Sequence, residues 1–460
     1  MGPTSRKKST TFDPVRAACI QVLGLVFEKG WKSDDAIKNI CANHQFTDLD
    51  RRFLLQLCHG VIKMRRRLDY TYSFYLKKPN ARIDKITRNI LRLGLYQLMF
   101  TDRIPPGAAV SESVNLARGL VHESRGAFVN AILRSYLRSP EKVVFQNKLD
   151  HPVEYLADFY SYPDWFVEYC INEFGFQKAE SLLARGNDSP HLTYRINRLR
   201  YNPEQLTKLL KEQYIEYSLG KYLEDYYHIY RQGIPLEQEL IEGGRVYIQD
   251  EAAGMAVNLL NPKQRDSILD LCSAPGGKAT FSASLMHNQG RITAVDISEE
   301  RLKTVVENAN RLGISIIAPV ACDVLDFKGP ACNRVLLDVP CSGWGVLGKH
   351  SDLRWMKARS DSLKLAEIQS KLIRHAADLV TPGGVLVYST CTIIRDENDS
   401  VVEEFLLDRP DFSIDMPGKS IAPELISERG FVKTYPNIDY LDGAFCVRLK
   451  KKLGSKSKKP

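Results

Sequence analysis

The sequence predicts a multidomain protein: an all-α N-terminal bundle, an α+β connecting region and a Rossmann-like α/β domain. Three observations support this fold class. Apolar residues repeat at helical spacing in the first 140 residues, prolines interrupt the next hundred, and short apolar runs alternate with helical patterns from about residue 241. We therefore expect domains at residues 1–140, 141–240 and 241–452, followed by a basic tail at 453–460.

The first part of the chain has the apolar periodicity of helices. Ile83, Ile86, Ile90, Leu93 and Phe100 follow three- and four-residue steps or their sums, which places them on one helix face. Short polar breaks separate the helical patterns, so we expect a compact bundle. The other segments with this pattern are Arg16–Phe27, Asp48–Met64 and Ala127–Leu137.

The middle part has no single periodicity. Pro152, Pro163, Pro190 and Pro203 interrupt it, which indicates loops and short elements. We expect a connecting region followed by a small α+β unit that contains the strand-like run from Leu192 to Asn197.

The last part alternates short apolar runs with helical patterns. This alternation predicts a parallel sheet covered by helices on both faces. The expected strands are Ile268–Leu271, Ile292–Asp296, Ile316–Val320, Val335–Asp338 and Val385–Tyr388.

The charge of the chain favours a polyanionic partner. The 460 residues carry a net charge of +9, with a pI of about 8.9. Lysine and arginine clusters supply most non-specific affinity for nucleic acids. One cluster runs from Lys63 to Arg67, and we interpret it as an RNA-binding surface. The second is the tail from Lys450 to Lys459, which a solvated chain end explains equally well.

Several classes of protein are disfavoured by the sequence. No run of about 18 apolar residues predicts a membrane span, and the polar segment Met1–Thr11 lacks the apolar core of a signal peptide. Ten cysteines without a CxxC pair and nine histidines without an HExxH motif predict free thiols and no metal site. We therefore expect a monomeric cytoplasmic protein without membrane or metal partners.

A glycine-rich turn after the first expected strand of the last domain predicts a cofactor site. The turn contains Gly276-Gly277, Asp296 ends the next strand, and Asp323 ends the third. A turn of this kind lets backbone approach a ligand, and an acid at the second strand end accepts ribose hydroxyls. A plain tight turn and a helix-capping Asp296 are the alternative. The spacing is not GxGxxG, which disfavours a nicotinamide oxidoreductase.

Two cysteines lie where this architecture places its chemistry. Cys341 follows Asp338 at the end of the fourth expected strand, and Cys391 follows the end of the fifth. A cysteine away from such positions is usually a small buried hydrophobe. We assign that structural role to Cys19, Cys58, Cys170 and Cys446.

These motifs resemble the RNA cytosine-5 methyltransferases over nearly the whole chain. The family's C-A-A-P-G-G-K is matched by Cys272-Ser273-Ala274-Pro275-Gly276-Gly277-Lys278, and its D-A-P-C-S-G-T-G by Asp338–Gly345. Its H-P-D-x-x-W segment is similar to His350–Trp355. Its T-C-S followed by E-N is similar to Thr390-Cys391-Thr392 and Glu397-Asn398.

The resemblance implies the cofactor and the catalytic roles. Cys391 would add to carbon 6 of cytosine as thiolate, Cys341 would assist elimination, and Asp338 would hydrogen-bond or protonate N3. Carbon 5 becomes nucleophilic only through such an addition. S-adenosyl-L-methionine would be bound by Cys272, Ser273, Ala274, Pro275, Gly276, Gly277, Lys278, Asp296, Arg301, Asp323 and Asp338.

The N-terminal extension resembles an RNA-binding domain of the NusB type, through Arg92–Leu98 and Phe128–Arg134. This extension favours the family members that modify 16S (small-subunit) ribosomal RNA. Ser273, Val339 and Trp344 depart from the commoner Ala, Ala and Thr, and Trp344 could alter packing at the site. Methylation of transfer RNA or large-subunit ribosomal RNA stays an alternative, as does a non-catalytic RNA-binding assembly factor.

Overall fold

The computed structural model describes residues 12–78, 82–188, 192–230, 235–437 and 441–453. The chain divides into two compact units, one of residues 1–187 with 349–356 and one of residues 188–348 with 357–460. This division is coarser than the predicted domain bounds at 140 and 240, which stay predictions. The segment Met1–Thr11 and the basic tail beyond Leu453 lie outside the described residues. In the described parts, no helix is both long enough and apolar enough to cross a membrane.

The first unit is helical, as predicted. Asp84 caps the helix that carries the predicted apolar face, accepting a hydrogen bond from the N–H of Thr87 at 2.8 Å. Ile90 and Leu93 are fully buried, but Ile86 is 43% exposed, so its assignment to the buried face is wrong. The helices are α1 (Pro14–Lys29), α2 (Ser33–Ala42), α3 (Asp48–Lys63), α4 (Arg65–Ser73), α5 (Lys85–Phe100), α6 (Pro106–Leu120), α7 (Glu123–Arg138), α8 (Pro152–Tyr160), α9 (Asp164–Phe174) and α10 (Phe176–Arg185).

The basic cluster from Lys63 to Arg67 is part of the packing of this unit. Lys63 is buried. Arg66 pairs with Asp158 at 2.6 Å and with Asp164 at 2.7 Å. The guanidinium of Arg67 lies 4.2 Å from the ring centroid of Phe159. The charges of this cluster therefore have partners within the bundle, and their contribution to RNA binding stays a prediction.

The second unit begins with a small antiparallel sheet. Its strands are β1 (Leu192–Ile196), β2 (Tyr217–Leu219), β3 (Tyr226–Ile229) and β4 (Val246–Ile248), in the order β2-β3-β1-β4. Helix α11 (Pro203–Glu212) connects β1 to β2, and α12 (Pro235–Glu242) connects β3 to β4. This βαββαβ order is that of a ferredoxin-like unit. The predicted strand at Leu192–Asn197 is confirmed.

The rest of the second unit is a doubly wound α/β fold. The strand order is β10-β12-β9-β8-β5-β6-β7, and β11 pairs with β12. Strands β5 to β9 run parallel, while β12 is antiparallel to β9. The elements are α13 (Glu251–Leu260), β5 (Ser267–Leu271), α14 (Gly277–Leu285), β6 (Arg291–Asp296), α15 (Glu299–Leu312), β7 (Ile317–Ala321), β8 (Cys332–Asp338), α16 (Leu353–Met356, counted with the first unit), α17 (Arg359–Asp378), β9 (Val380–Thr390), α18 (Asp399–Asp408), β10 (Phe412–Ile414), β11 (Val432–Thr434) and β12 (Ala444–Lys451).

Strand β5 lies between β6 and β8, so the strand order reverses beside it. Ligands of open α/β sheets bind at such a switch point, outside the carboxyl ends of the strands. Asp296 ends β6 and Asp338 ends β8, whereas β7 ends at Ala321, two residues before Asp323. The predicted strands and their order along the chain are confirmed.

The segment Lys349–Met356 leaves the second unit and is built into the first. Asp352 accepts hydrogen bonds from the N–H and hydroxyl of Ser33 at 3.1 and 3.0 Å. The indole N–H of Trp355 donates to the carbonyl of Ile62 at 2.6 Å. The histidine–aspartate–tryptophan motif seen in the sequence is therefore a structural element of the helical unit.

Arg354 is the most enclosed side chain of this segment, with no exposed surface. It donates to the carbonyls of Lys63, Ser161 and Gly186 at 3.3, 3.1 and 3.2 Å. Its guanidinium also lies 4.0 Å from the ring centroid of Tyr162. The charge is thus solvated by backbone carbonyls and an aromatic face instead of a carboxylate.

Replacing Arg354 with alanine should destabilise the helical unit by about 3 kcal/mol or more, because three buried carbonyls lose their donor. Urea unfolding monitored by tryptophan fluorescence measures this change. Arg118→Ala is the matched control, since Arg118 pairs with Glu123 at the surface and should change stability by about 1 kcal/mol or less. Equal stability losses in the two variants would contradict the anchoring role of Arg354.

Candidate active site

The turn after β5 is shaped by two residues with positive φ. Cys272 has φ +61° and Gly276 has φ +94°, and α14 begins at the next residue. A Cβ at Gly276 would lie 3.0 Å from Cγ1 of Val305 in α15. Both the backbone conformation and the close approach therefore require glycine. The turn aims the free N–H groups of the first turn of α14 at a ligand, as predicted for a cofactor site.

Asp296 lies directly against this turn. Its side chain is buried and accepts hydrogen bonds from the N–H groups of Ala274 and Ser298, each at 3.1 Å. Arg301 lies 3.6 Å from the same carboxylate and donates to the carbonyl of Ala274 at 2.6 Å. A carboxylate offers about four acceptor positions, so two remain for the hydroxyls of a ribose. The N-cap of α15 is Ser298, so the alternative of a helix-capping Asp296 is wrong, and its binding of a ribose stays a prediction.

Asp323 is placed differently from the sequence expectation. It caps the short helix Val324–Asp326 by accepting the N–H of Leu325 at 2.9 Å. The residue still lies just past the carboxyl end of β7, beside the strand that ends in Asp296. Its part in binding S-adenosyl-L-methionine stays a prediction.

Lys278 and Asp338 form an ion pair that the sequence did not reveal. The ammonium lies 2.7 Å from Oδ2 of Asp338, and the Ser389 hydroxyl donates to Oδ1 at 2.7 Å. Burial lowers the pKa of Lys278, but the charge of Asp338 and its hydrogen bond outweigh burial, so the pKa is raised. Lys278 thereby joins the cofactor turn to the acid at the end of β8.

The thiols of Cys341 and Cys391 are in contact. Their sulfur atoms are 3.0 Å apart, and the N–H of Cys391 points to the Cys341 sulfur at 3.3 Å. Both are free thiols, and Cys391 is the exposed one. The hydrogen bond with Cys391 and burial raise the pKa of Cys341. The two cysteines predicted to act together are therefore adjacent.

The surroundings of Cys391 form a small cavity. Lys278, Ser389, Cys391, Ala444 and Phe445 are among the residues that line it, so the ammonium and the thiol share this cavity. The four cysteines assigned structural roles, Cys19, Cys58, Cys170 and Cys446, are all buried, as predicted. Within the described ranges, no group of histidine, cysteine or acidic side chains is arranged to hold a metal ion.

Arg195 supports the glycine turn from the small antiparallel sheet. It is buried, and it donates to the Gly277 carbonyl at 2.8 Å and to the Thr280 hydroxyl at 3.1 Å. Its guanidinium also contacts the side-chain carbonyl of Gln249. The sequence predicted a strand at this position but no role for Arg195. The one signal of such a role was an arginine within an apolar strand-like run.

Asp270 lies beneath the same turn and is 1% exposed. The Ser273 hydroxyl donates to Oδ2 at 2.7 Å, and the buried Oδ1 has no hydrogen-bond partner among the described residues. Burial raises the pKa of Asp270 from 3.8 to about 7, which the Ser273 hydrogen bond only partly opposes. The acid is thus an orphaned polar group below the place where a cofactor would bind.

Comparisons with known proteins identify the family of this chain. The profile of the 16S rRNA methyltransferase RsmB/F family matches residues 257–450. The NusB family matches residues 13–138, and the ferredoxin-like domain of RsmF/B-like methyltransferases matches residues 162–234. The probable ribosomal RNA small subunit methyltransferase B of Bacillus subtilis strain 168 is 33% identical over 445 residues, 95% of this chain and 99% of the relative. The chain belongs to the RsmB/F family.

Other relatives extend this result. The protein of the same description from Synechocystis is 34% identical over 427 residues, 91% of this chain and 95% of its own length. The crystal structure of PH0851 has the same fold, with a TM-score of 0.77 at 24% identity over 96% of this chain and 100% of the other. Membership of the RsmB/F family makes the protein an S-adenosylmethionine-dependent RNA methyltransferase. It confirms the predicted family and fold class and sets aside a nicotinamide oxidoreductase and a non-catalytic assembly factor.

Replacing Asp270 with asparagine should make stability less dependent on pH. The native pKa of about 7 exceeds the ordinary 3.8, so the folded state holds the proton more tightly than the unfolded chain. In the wild type, the stabilisation that protonated Asp270 contributes is fully present below pH 4 and is lost as the pH rises to 7.

Between pH 5 and pH 7 the wild type should lose about 2 kcal/mol of unfolding free energy relative to Asp270→Asn. Denaturant titrations at three pH values measure this difference. Asp326→Asn, at an exposed position, should show the same pH dependence as the wild type. A wild-type curve parallel to that of Asp270→Asn would rule out the raised pKa.

Proposed function

We propose that the protein transfers a methyl group from S-adenosyl-L-methionine to carbon 5 of a cytosine in 16S ribosomal RNA, through a covalent bond between Cys391 and carbon 6. The observation that most supports this proposal is the pair of free thiols 3.0 Å apart beside the Lys278–Asp338 ion pair. One thiol suits addition and the other suits the later proton removal. The relatives described as small-subunit ribosomal RNA methyltransferases supply the RNA class.

The residues around the glycine turn fit the proposed cofactor. The positive φ of Gly276 shapes the turn before α14, and the buried Asp296 keeps acceptor capacity for ribose hydroxyls. The orphaned Oδ1 of Asp270 is a further acceptor under the same turn. When bound, S-adenosylmethionine supplies an electrophilic methyl group on a sulfonium centre.

The chain's own residues would perform the remaining steps. The Cys391 thiolate forms a bond to carbon 6, and the electrons of the carbon 5–carbon 6 double bond make carbon 5 nucleophilic. Asp338, which Lys278 and Ser389 hold by hydrogen bonds, would protonate N3 of the cytosine or donate a hydrogen bond to it. After methylation the thiolate of Cys341 takes the carbon 5 proton, the double bond re-forms, and the bond to Cys391 breaks with its electron pair returning to the Cys391 sulfur.

The same proposal defines the substrate state and the setting of the enzyme. A base must leave its stack to reach Cys391, so the target cytosine lies in a loop or at an opened helix end. The domain that matches the NusB family contributes RNA contacts in this proposal. We place the enzyme in the cytoplasm as a monomer.

Asp296→Ala should weaken S-adenosylmethionine binding roughly 10- to 150-fold, because charge-assisted hydrogen bonds to the ribose contribute about 1.5–3 kcal/mol. Isothermal titration calorimetry measures the affinity. Glu299→Ala, on the exposed start of α15, is the control and should bind as the wild type does. Unchanged affinity in Asp296→Ala, with lower thermal stability, would leave Asp296 only the structural role of accepting the N–H groups of Ala274 and Ser298.

The two cysteine substitutions should give opposite results with RNA and S-adenosylmethionine. Cys391→Ala cannot form the bond to carbon 6, so neither methylation nor a covalent complex should be detected. Cys341→Ala can add and methylate but not release, so a protein–RNA species should survive denaturing electrophoresis. Exchanged phenotypes would exchange the roles, and no trapped species in either variant would refute covalent catalysis. Repeating the reaction with transfer RNA and large-subunit ribosomal RNA tests the choice of 16S ribosomal RNA.

A further inference from the structure

Two consecutive buried residues, Glu397 and Asn398, hold the backbone around both cysteines. Glu397 ends the short helix Arg395–Glu397, and Asn398 precedes α18. They are 0% and 3% exposed. Neither residue contacts the sulfur atoms in the hydrogen bonds of the described residues, and the proposed mechanism gives them no role.

Glu397 holds the residues that flank Cys341. Its carboxylate accepts the N–H of Ser342 at 2.8 Å and also the Ser342 hydroxyl. Gln369 donates one hydrogen bond to Glu397 at 3.0 Å and another to the Pro340 carbonyl at 2.9 Å. Pro340 and Ser342, on either side of Cys341, are therefore held by one connected pair of side chains.

Asn398 holds the residues that flank Cys391 in the same way. Its side-chain oxygen accepts the Thr390 hydroxyl at 2.6 Å, and its amide donates to the Thr392 carbonyl at 2.8 Å. The hydroxyls of Ser342 and Thr392 meet at 3.0 Å and join the two loops. Each cysteine loop is thus held by one member of a single dipeptide.

Burying these polar side chains costs free energy that a purely structural role would not justify. Burial raises the pKa of Glu397, which means that its charged form is penalised despite the hydrogen bonds it accepts. Buried polar networks are often no more stabilising than apolar packing of the same volume. Their advantage is a defined geometry, and here the geometry defined is that of two loops ending in thiols.

We propose that Glu397 and Asn398 are positioning residues that set the approach of the two thiols, with Glu397 acting on Cys341 and Asn398 acting on Cys391. The chemical consequences rest on the proposed function. Loosening the Cys341 loop should impair proton removal and release, whereas loosening the Cys391 loop should impair the initial addition.

The first experiment measures thiol geometry without RNA or cofactor. Full-length variants are treated with the oxidant diamide, which takes two hydrogens as Cys341 and Cys391 form a disulfide, and mass spectrometry follows the bond. Glu397→Ala and Asn398→Ala should each slow its formation roughly tenfold or more, since a displacement of about 1 Å has effects of that order. Glu397→Gln, which keeps an acceptor for Ser342, should recover much of the rate.

The matched control is Asp399→Asn, at the next position along the chain. Asp399 is 8% exposed and pairs with Lys433 at 2.7 Å, away from the cysteine loops. It should form the disulfide at the wild-type rate, even where its thermal stability falls as much as that of the other variants. Equal rates in Asp399→Asn, Glu397→Ala and Asn398→Ala would overturn the positioning role. If an alanine variant fails to fold, Glu397→Gln and Asn398→Asp carry the same comparison.

The second experiment measures how the reaction divides between addition and release. With RNA and S-adenosylmethionine on a denaturing gel, Glu397→Ala should accumulate the covalent species as Cys341→Ala does, and Asn398→Ala should form little of it. If Cys341→Ala traps RNA but Glu397→Ala does not, the inference fails while the proposed function stands. If Cys341→Ala does not trap RNA, the proposed function fails, and the diamide rates still decide the positioning role.

Discussion

The parallel pairing of β8 with its neighbours β5 and β9 is the constraint on which the site depends. Asp338 is in register with Ser389, and their side chains are hydrogen-bonded at 2.7 Å. Because Cys341 and Cys391 follow these residues after three and two positions, the same register brings both thiols to one edge of the sheet. A slip of one residue would turn Asp338 to the opposite face and separate the acid, the ammonium of Lys278 and the thiols.

In each of its two units the protein buries charged groups whose partners are mainly neutral. Arg195 is surrounded by carbonyl and hydroxyl oxygens, Arg354 by backbone carbonyls, and Glu397 by an N–H, a hydroxyl and an amide. Hydrogen bonds from neutral groups offset desolvation and also fix direction. Asp270 is the exception, since its Oδ1 lacks a partner among the described residues. Burying an acid with an unsatisfied oxygen lowers stability, and here it does so under the glycine turn that is proposed to bind the cofactor.

The sequence predicts the strands well because each is a short apolar run, and a parallel sheet buries both faces. It also predicts the pairing of two cysteines, since both follow such runs. It cannot predict that Lys278 reaches Asp338, because a glycine-turn motif specifies the backbone and not the direction of a long side chain. The packing contacts of Arg66 and Arg67 could not be predicted either, because their partners Asp158 and Phe159 lie about 90 residues away along the chain. Ile86 shows that helical spacing alone does not locate the edge of a buried face.

Two chemically identical side chains therefore differ only through their surroundings. Cys341 receives the N–H of Cys391 and has a raised pKa, which suits a group that holds and exchanges a proton. Cys391 is exposed, beside a cavity that Lys278 also lines, which suits a group that must reach a base. Cys341 is half-buried and Cys391 is exposed, so the two adjacent loops give their thiols different access to solvent. In the proposed mechanism this difference assigns the addition to Cys391 and the later proton removal to Cys341.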